Sequence, residues 1–408
     1  MRLLIHGLNH APEPTGVGKF TGEMVAWLAA RGHRVEVVTA PAYYPGWRVT
    51  PGQRGLHWRR EMRDGAVVRR CPLYVPANPG GAKRLLHLAS FAASSLPVAM
   101  AAARSLRPEV VIAVAPTLLA APGALAAARA ARAHSWLHVQ DFETEAAFSL
   151  GLLGGVGSRR WALSLERRIL AGFDRISTIS EAMGRRLVDK GVSEDRIRLF
   201  PNWVDTAAIR PLDGLNPLRA ELGIAEDRLV ALYAGTMGEK QGLEVLVAAA
   251  ELLEHDPRIL FVLAGEGAAK ARLAVRAGRL GNLRFLPLQP AARLNHLLNL
   301  ADLHLLPERE GAADLVMPSK LGGMLASGRP VVAAVAAGGQ IARAVEGAGL
   351  VVPSGDAAAL ASAVRLLADD PALRATLGAK ARSRARADWD REPILARFER
   401  ELLALAEA

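Results

Sequence analysis

The sequence predicts an α/β protein of two doubly wound parallel-sheet domains, and three observations carry that expectation. Short apolar or β-branched runs alternate with longer stretches rich in Ala and Leu, the pattern of parallel strands covered on both faces by crossover helices. The pattern occurs twice, on either side of FPNWVDTAAIRPL, a mixed polar segment with two prolines that reads as a linker. The chain has 408 residues, 51% hydrophobic and 22% charged, which exceeds one ordinary core and favours two domains of about 200 residues each. The expected division is 1–205, 206–385 and a terminal helix over 386–408 that packs back toward the first domain.

Taken in order, MRLLIHGL reads as the first strand, and the apolar spacing of MVAWLAARGH as a helix closed by Gly32. RVEVVTA (34–40), EVVIAVAP (109–116), SWLHVQD (135–141) and RISTIS (175–180) supply further strands of the first half. LVALYAGT (229–236), ILFVLAGEG (259–267), LRFLPL (283–288), DLHLLP (302–307), RPVVAAV (329–335) and GLVVP (349–353) supply those of the second. The run from Leu85 to Ala103 is long enough to span a bilayer, but it holds His87, Ser90, Ser94, Ser95 and Pro97 and is richer in Ala than in Leu. It is expected to pack on the sheet, or to lie against lipid headgroups with Lys83, Arg84 and Arg104 at its flanks.

The formal net charge of +11 is unevenly placed. Residues 1–200 hold 27 Lys and Arg against 15 Asp and Glu, a net of +12; the remainder holds 24 against 25, a net of −1. Genomic composition explains a choice of Arg over Lys, but not this asymmetry. A basic first half calls for an acidic partner: nucleic acid, an anionic membrane surface or a phosphorylated ligand. Nucleic acid fits worst, because neither zinc-ligand spacing nor an RNA-recognition aromatic motif accompanies the charge. Cys71 is the one cysteine, which excludes an internal disulfide and fits a reducing compartment. The first strand starts almost at once, with no secretory signal before it, so a cytoplasmic location is expected.

Ligands of such sheets bind beyond the carboxyl ends of the strands, which directs attention to the turns there. NHAPEPTGVGKFTGE follows the first strand, and its glycines and the coming helix N-terminus suit an anion. It is neither a P-loop, since Phe20 follows Gly18-Lys19, nor a dinucleotide fingerprint, since Thr21 stands where a third glycine belongs. A tight strand-to-helix turn without a ligand is the competing reading. No spaced set of His, Cys, Asp or Glu reads as a metal shell, so no metal or cofactor is expected.

The segments ISTISEAMGRRLVDKGVSEDRIRLFPNWVD, LYAGTMGEKQGLEVLVAAAELL, LAGEGAAKARL, MPSKLGGMLASGRPVVA and GAGLVVPSGDAAALASAV resemble, in this order and spacing, the GT-B glycosyltransferases of family four. The first domain, through NHAPEPTGVGKFTGEMVAWLAARGHRVEVVTAPAYYPGW, CPLYVP, KRLLHLASF and HVQDFE, together with EKQGLE of the second, resembles the colanic acid glycosyltransferases of the WcaI type. The likeness runs over nearly the full chain. It implies a GT-B fold, two Rossmann-like domains facing a cleft. It also implies metal-independent, retaining transfer of a sugar, fucose from GDP-fucose first among the options, to a polyprenyl-diphosphate-linked oligosaccharide. The product would be an exopolysaccharide repeat unit, built on the cytoplasmic side of the inner membrane.

The resemblance also implies roles for residues. Gly235, Thr236 and Lys240, then Ser319 and Lys320, would hold the donor diphosphate, although many relatives have Arg where Thr236 stands. Gly265 and Glu266 would border the nucleoside, and Gly16, Gly18 and Lys19 would meet the phosphate of donor or acceptor. His138 would support the sugar and Asp141 act toward the acceptor hydroxyl, with Glu143 as a substitute. The family's paired glutamates are replaced by Leu315 and Gly323, with Glu308, Glu310 and Asp314 nearby. Each position has a plainer alternative: a solvated Lys240, Ser319 as an N-cap, Glu266 in a surface turn, His138 and Asp141 as bonded loop residues. Tyr43, Tyr44 and Trp47 serve equally as an acceptor platform or as loop packing. Two other functions stay open, a nucleotide-sugar epimerase of the same fold and a non-catalytic sugar-nucleotide or membrane-binding subunit.

Overall fold

The computed structural model describes the chain except residues 54, 78, 79, 117, 143–155 and 310–316. It divides into two units, Met1–Asn202 with Pro393–Ala408, and Trp203–Glu392.

The first unit is built on a sheet ordered β3-β4-β2-β1-β5-β6-β7-β8. Its strands are β1 (Arg2–Gly7), β2 (Arg34–Thr39), β3 (Arg59–Arg63), β4 (Ala66–Arg70), β5 (Val110–Ala115), β6 (His134–Val139), β7 (Arg175–Thr178) and β8 (Ile197–Leu199). β5, written VVIAVA, is buried along its whole length, as a strand covered on both faces must be. Helices Gly81–Leu106 and Ala121–Ala131 pack against each other and against this sheet. All pairings are parallel except β3 with β4, an antiparallel edge hairpin that the alternation of runs does not predict. RREMR carries no apolar run to mark a strand. The overlooked signal is the Asp64-Gly65 turn, both residues at positive φ, the chemistry of a tight hairpin.

The second unit has a wholly parallel sheet ordered β11-β10-β9-β12-β13-β14. Its strands are β9 (Leu229–Ala234), β10 (Ile259–Ala264), β11 (Leu283–Leu286), β12 (Leu303–Pro307), β13 (Val331–Ala334) and β14 (Gly349–Val352). β9 is central, with β10 and β12 at its sides, so the turns after these three strands crowd together at one end.

The chain ends in helices Pro371–Asp388 and Arg391–Ala406. The second returns to the first unit through an aromatic cluster: Phe398 stacks on Phe200 at 4.0 Å and meets Trp136 edge-on at 5.2 Å. Glu399 on the same helix pairs with Arg31 (2.9 Å) and His33 (2.8 Å). Truncating a buried aromatic of this kind costs about 3–5 kcal/mol. Phe398→Ala should therefore lower the urea midpoint of the first unit by a corresponding amount, followed by Trp fluorescence, which senses Trp136 directly.

Candidate functional site

In the first unit the turn after β1 is held from inside. Glu13 is buried; its carboxylate accepts from the backbone N–H groups of Tyr43 (3.2 Å) and Tyr44 (3.1 Å) and from Asn9 Nδ2 (2.9 Å). Burial pushes the Glu13 carboxyl up, and these donors oppose the shift. A Cβ at Gly18 would lie 2.2 Å from Glu13 Oε2, and one at Gly22 would lie 2.6 Å from the Ala11 side chain. Gly18 is therefore required by a contact within the protein. Gly16 opens the Gly16–Ala30 helix at φ +65° beside the Tyr44 ring. Thr15, the N-cap, makes no side-chain cap bond, and the first turn holds no acid. Lys19 pairs with Glu23 at 3.2 Å and lies over the Phe20 ring.

His138, at the carboxyl end of β6, is buried; its Nδ1 lies 2.9 Å from Ser177 Oγ, which also accepts from Trp136 Nε1, and its ring packs on Phe200. Burial lowers its pKa to about 3, so it stays neutral. Those contacts fix the ring at the end of β6. Asp141, two residues beyond the strand, is exposed. Phe142 after it is buried under the ammonium of Lys190, which pairs with Glu166 at 2.9 Å. Glu143 lies outside the described residues. Tyr43, Trp47 and His87 pack ring against ring, which makes Tyr43 and Trp47 loop packing, and leaves Tyr44 exposed.

The second unit concentrates more chemistry. The turns after β9 and β10 are interlocked: a Cβ at Gly265 would sit 2.0 Å from Gly235 O, and one at Gly267 would sit 2.3 Å from Met237 O. Met237 N–H donates to Glu266 O (2.8 Å), and Ala269 N–H to Met237 O (2.9 Å). Gly235, Gly265 and Gly267 adopt φ of +157°, +145° and +155°, values that side-chain-bearing residues avoid. Gly242, at φ +61°, closes the first of these turns against the Arg309 backbone beyond β12.

Lys320 lies across this double turn. Its Nζ is 4.2 Å from the centre of the Tyr233 ring, and its Cδ is 3.4 Å from where a Gly235 Cβ would be. The Tyr233 hydroxyl donates to Thr236 O at 2.6 Å, fixing the turn from beneath. Desolvation lowers the Lys320 pKa to about 7, although the nearby Glu308 carboxylate works the other way. Lys320 stands in the first turn of the helix Ser319–Ala326, whose N-cap is Pro318 and whose first turn holds no acid. Ser319 is exposed and is the first helical residue, not the cap. A desolvated ammonium, an uncapped helix N-terminus and the Gly235-Thr236 backbone thus meet at the end of β9, a combination suited to an anion.

Glu266 pairs with Lys270 at 2.7 Å on the rim of the second turn. Lys240 falls within a short 3-10 turn, Glu239–Gln241, and its side chain lies outside the described residues. Glu310, Asp314 and Leu315 lie outside them too. Gly323 faces the core: a Cβ there would meet Leu298 Cδ1 at 3.3 Å. Sequence reasoning missed Tyr233 and Glu13. Tyr233 reads as one more apolar strand residue in LVALYAGT, and nothing local reveals that its hydroxyl and ring serve the turn above.

Comparison with known proteins agrees with this architecture. Residues 15–203 match the glycosyl transferase 4-like domain and residues 216–384 match the glycosyl transferases group 1 domain. The putative colanic acid biosynthesis glycosyl transferase WcaI of Escherichia coli is 41% identical over 98% of each chain. The D-inositol 3-phosphate glycosyltransferase of Acidothermus cellulolyticus is 34% identical over 55% of this chain and 52% of its own. Among solved structures, sucrose-phosphate synthase from Thermosynechococcus elongatus superposes with a TM-score of 0.74 at 20% identity, over 99% of this chain and 100% of that one. HepE of Anabaena in complex with UDP gives 0.70 at 18% identity, with the same coverage of both chains. The fold is GT-B, and the chain belongs to the family-four glycosyltransferases, close to the WcaI type of colanic acid biosynthesis.

Proposed function

We propose that this glycosyltransferase moves a sugar from a nucleoside diphosphate donor to a polyprenyl-diphosphate-linked oligosaccharide during exopolysaccharide assembly. The donor we favour is GDP-fucose and the stereochemical course retention, both carried by the likeness to the WcaI type. The single observation that carries the donor site is Lys320, a desolvated cation lying over Gly235 and Tyr233 at a helix N-terminus. A departing diphosphate gathers negative charge, and a fixed cation with backbone N–H groups in a low-dielectric setting stabilises that charge. Gly235, Thr236, Ser319 and Lys320 form this cradle, with Lys240 as a further cation and Gly265 with Glu266 on the nucleoside side. Protein groups supply the neutralisation in this reading, without a metal or cofactor.

On the acceptor side we assign Asp141, exposed at the end of β6, to the acceptor hydroxyl, and the uncapped Gly16–Ala30 helix with Lys19 to a phosphate. The protein works on the cytoplasmic side of the inner membrane, attached peripherally, because its acceptor is held there.

Calorimetric titration with GDP and UDP tests the donor. GDP should bind at least about tenfold more tightly; a preference for UDP, the nucleotide present with HepE, would overturn the GDP-sugar assignment and leave the fold untouched. Lys320→Met should weaken diphosphate binding by about 2 kcal/mol, the order expected for losing a charge-assisted contact. The pH dependence follows from its pKa of about 7. Diphosphate raises that pKa by favouring the ammonium, so affinity is full below about 7 and falls as pH rises beyond it, by up to about tenfold per unit. Lys320→Met should erase that slope. Asp141→Asn should cut kcat by about a hundredfold or more with little change in donor affinity; activity at the parent level would remove Asp141 from the mechanism.

A further inference from the structure

Helix Gly81–Leu106 has two unlike faces. His87, Leu88, Phe91, Ser95, Ala99, Ala102, Ala103 and Leu106 are buried in the first unit. Two bonds tie that side into the unit: His87 Nδ1 donates to Tyr74 O, and Ser95 Oγ lies 2.9 Å from His6 Nε2. This is the one helix, among the described residues, long and apolar enough to cross a membrane, but it is built into the unit by these bonds, and a spanning role would break them.

The opposite face is apolar and open. Leu85 and Leu86 are each 56% exposed, and Ala89, Ala93, Leu96 and Pro97 continue the exposed stripe at helical spacing. Trp58 extends it sideways: the residue is 62% exposed, and its Nε1 donates to Ser94 O on the helix at 3.3 Å. An indole anchored to a helix flank with its body in solvent is the amphipathic group favoured at a lipid–water boundary.

Charge around the stripe is predominantly positive. The helix contains Lys83, Arg84 and Arg104 and no acid, and Arg59 and Arg60 stand exposed next to Trp58 on the edge strand β3. Of the acids of that hairpin, Glu61 pairs with Arg70 at 2.9 Å and with Arg59 at 3.5 Å, and Asp64 stands exposed in its turn, so among the described residues Arg60 is the cation of the pair that no hairpin acid meets. A protein partner covering the stripe would have to bring its own acids to meet these cations, whereas an anionic bilayer offers apolar depth and negative charge together.

From this we infer that the exposed face of helix Gly81–Leu106, with Trp58 and the basic edge hairpin, is a docking surface for an anionic lipid bilayer, on which the helix lies in the headgroup plane with Trp58 and the leucines entering the acyl boundary. The inference deepens the membrane-facing part of the proposed function and rests on no assignment of donor or acceptor. The occupant is lipid, bound by apolar insertion and by headgroup charge.

The test is flotation of the full chain with phosphatidylcholine vesicles, with and without phosphatidylglycerol. Binding is expected with phosphatidylglycerol, weakening as salt rises, and brominated-chain lipids should quench a Trp emission component that Trp58→Phe removes. Leu85→Glu/Leu86→Glu should lower the partition coefficient about tenfold or more, and Arg59→Gln/Arg60→Gln should remove much of the salt dependence. Unchanged melting temperatures establish that the variants are folded; because all four positions are exposed, Trp58→Ala gives an independent check. No binding to either vesicle, equal binding to both, or full binding by the leucine variant would overturn the inference. So would a concentration-dependent dimer in sedimentation that Leu86→Glu abolishes, since a second copy would then cover the face. Transfer to a short-chain, water-soluble acceptor analogue separates the readings: activity there without vesicle binding overturns the docking surface alone, and vesicle binding without activity overturns the transferase assignment alone.

Discussion

The second unit depends on one backbone contact that leaves no room for a Cβ. The turn after β10 presses on the turn after β9, with Gly265 against Gly235 O and Gly267 against Met237 O, and two hydrogen bonds through Met237 fasten them. Because parallel strands place both turns at the same end, this contact makes a single rigid ledge of two loops. Gly235 then serves twice: its missing side chain leaves room beside the Lys320 stem, and its φ of +157° is a value that side-chain-bearing residues avoid.

Rigidity there matters because of what it does to a cation. Lys320 lies over the buried Tyr233 ring, and desolvation there lowers its pKa to about 7. Glu308 supplies part of the missing stabilisation. In the proposed donor site an incoming diphosphate would supply more, at a short distance and in a medium where charge pairs interact more strongly than in water. The cost of desolvating the ammonium is borne by folding, so an anion bound as proposed would meet a donor that needs little reorganisation.

How much of this the sequence discloses depends on the range of the contact involved. Fully buried parallel strands such as β5 and β10 are legible because burial on both faces leaves an unbroken apolar run. The edge hairpin β3–β4 is not, because its first strand is charged and only the Asp64-Gly65 turn marks it. At the site, the glycines of AGT and AGEG are visible as turns, but their mutual contact joins residues thirty positions apart and no local rule predicts it. Gly18 shows the opposite hazard. It looks like room for a ligand and is filled by Glu13, five residues earlier. His138 illustrates the limit of range again: only the fold reveals that Ser177 and Phe200 set the orientation of its ring.

Helix capping separates structural helix starts from those left open. In the second unit the starts with side-chain caps, among the described residues, are at Asn216, Asp356 and Asp370. Asn216 precedes β9, Asp356 follows the edge strand β14, and Asp370 joins two helices, so none stands over the middle of the sheet. The helix starts at Leu243, Ala269 and Pro318, which follow β9, β10 and β12, make no such bond. An N-cap side chain satisfies orphan N–H groups and adds roughly 1 kcal/mol, so a start without one leaves stability unused. At Pro318 the missing cap coincides with a first turn free of acid and with Lys320. Donors left unsatisfied by side chains are then available to an external acceptor, and the same feature that costs the helix stability suits the end of β12 to the anion proposed for it.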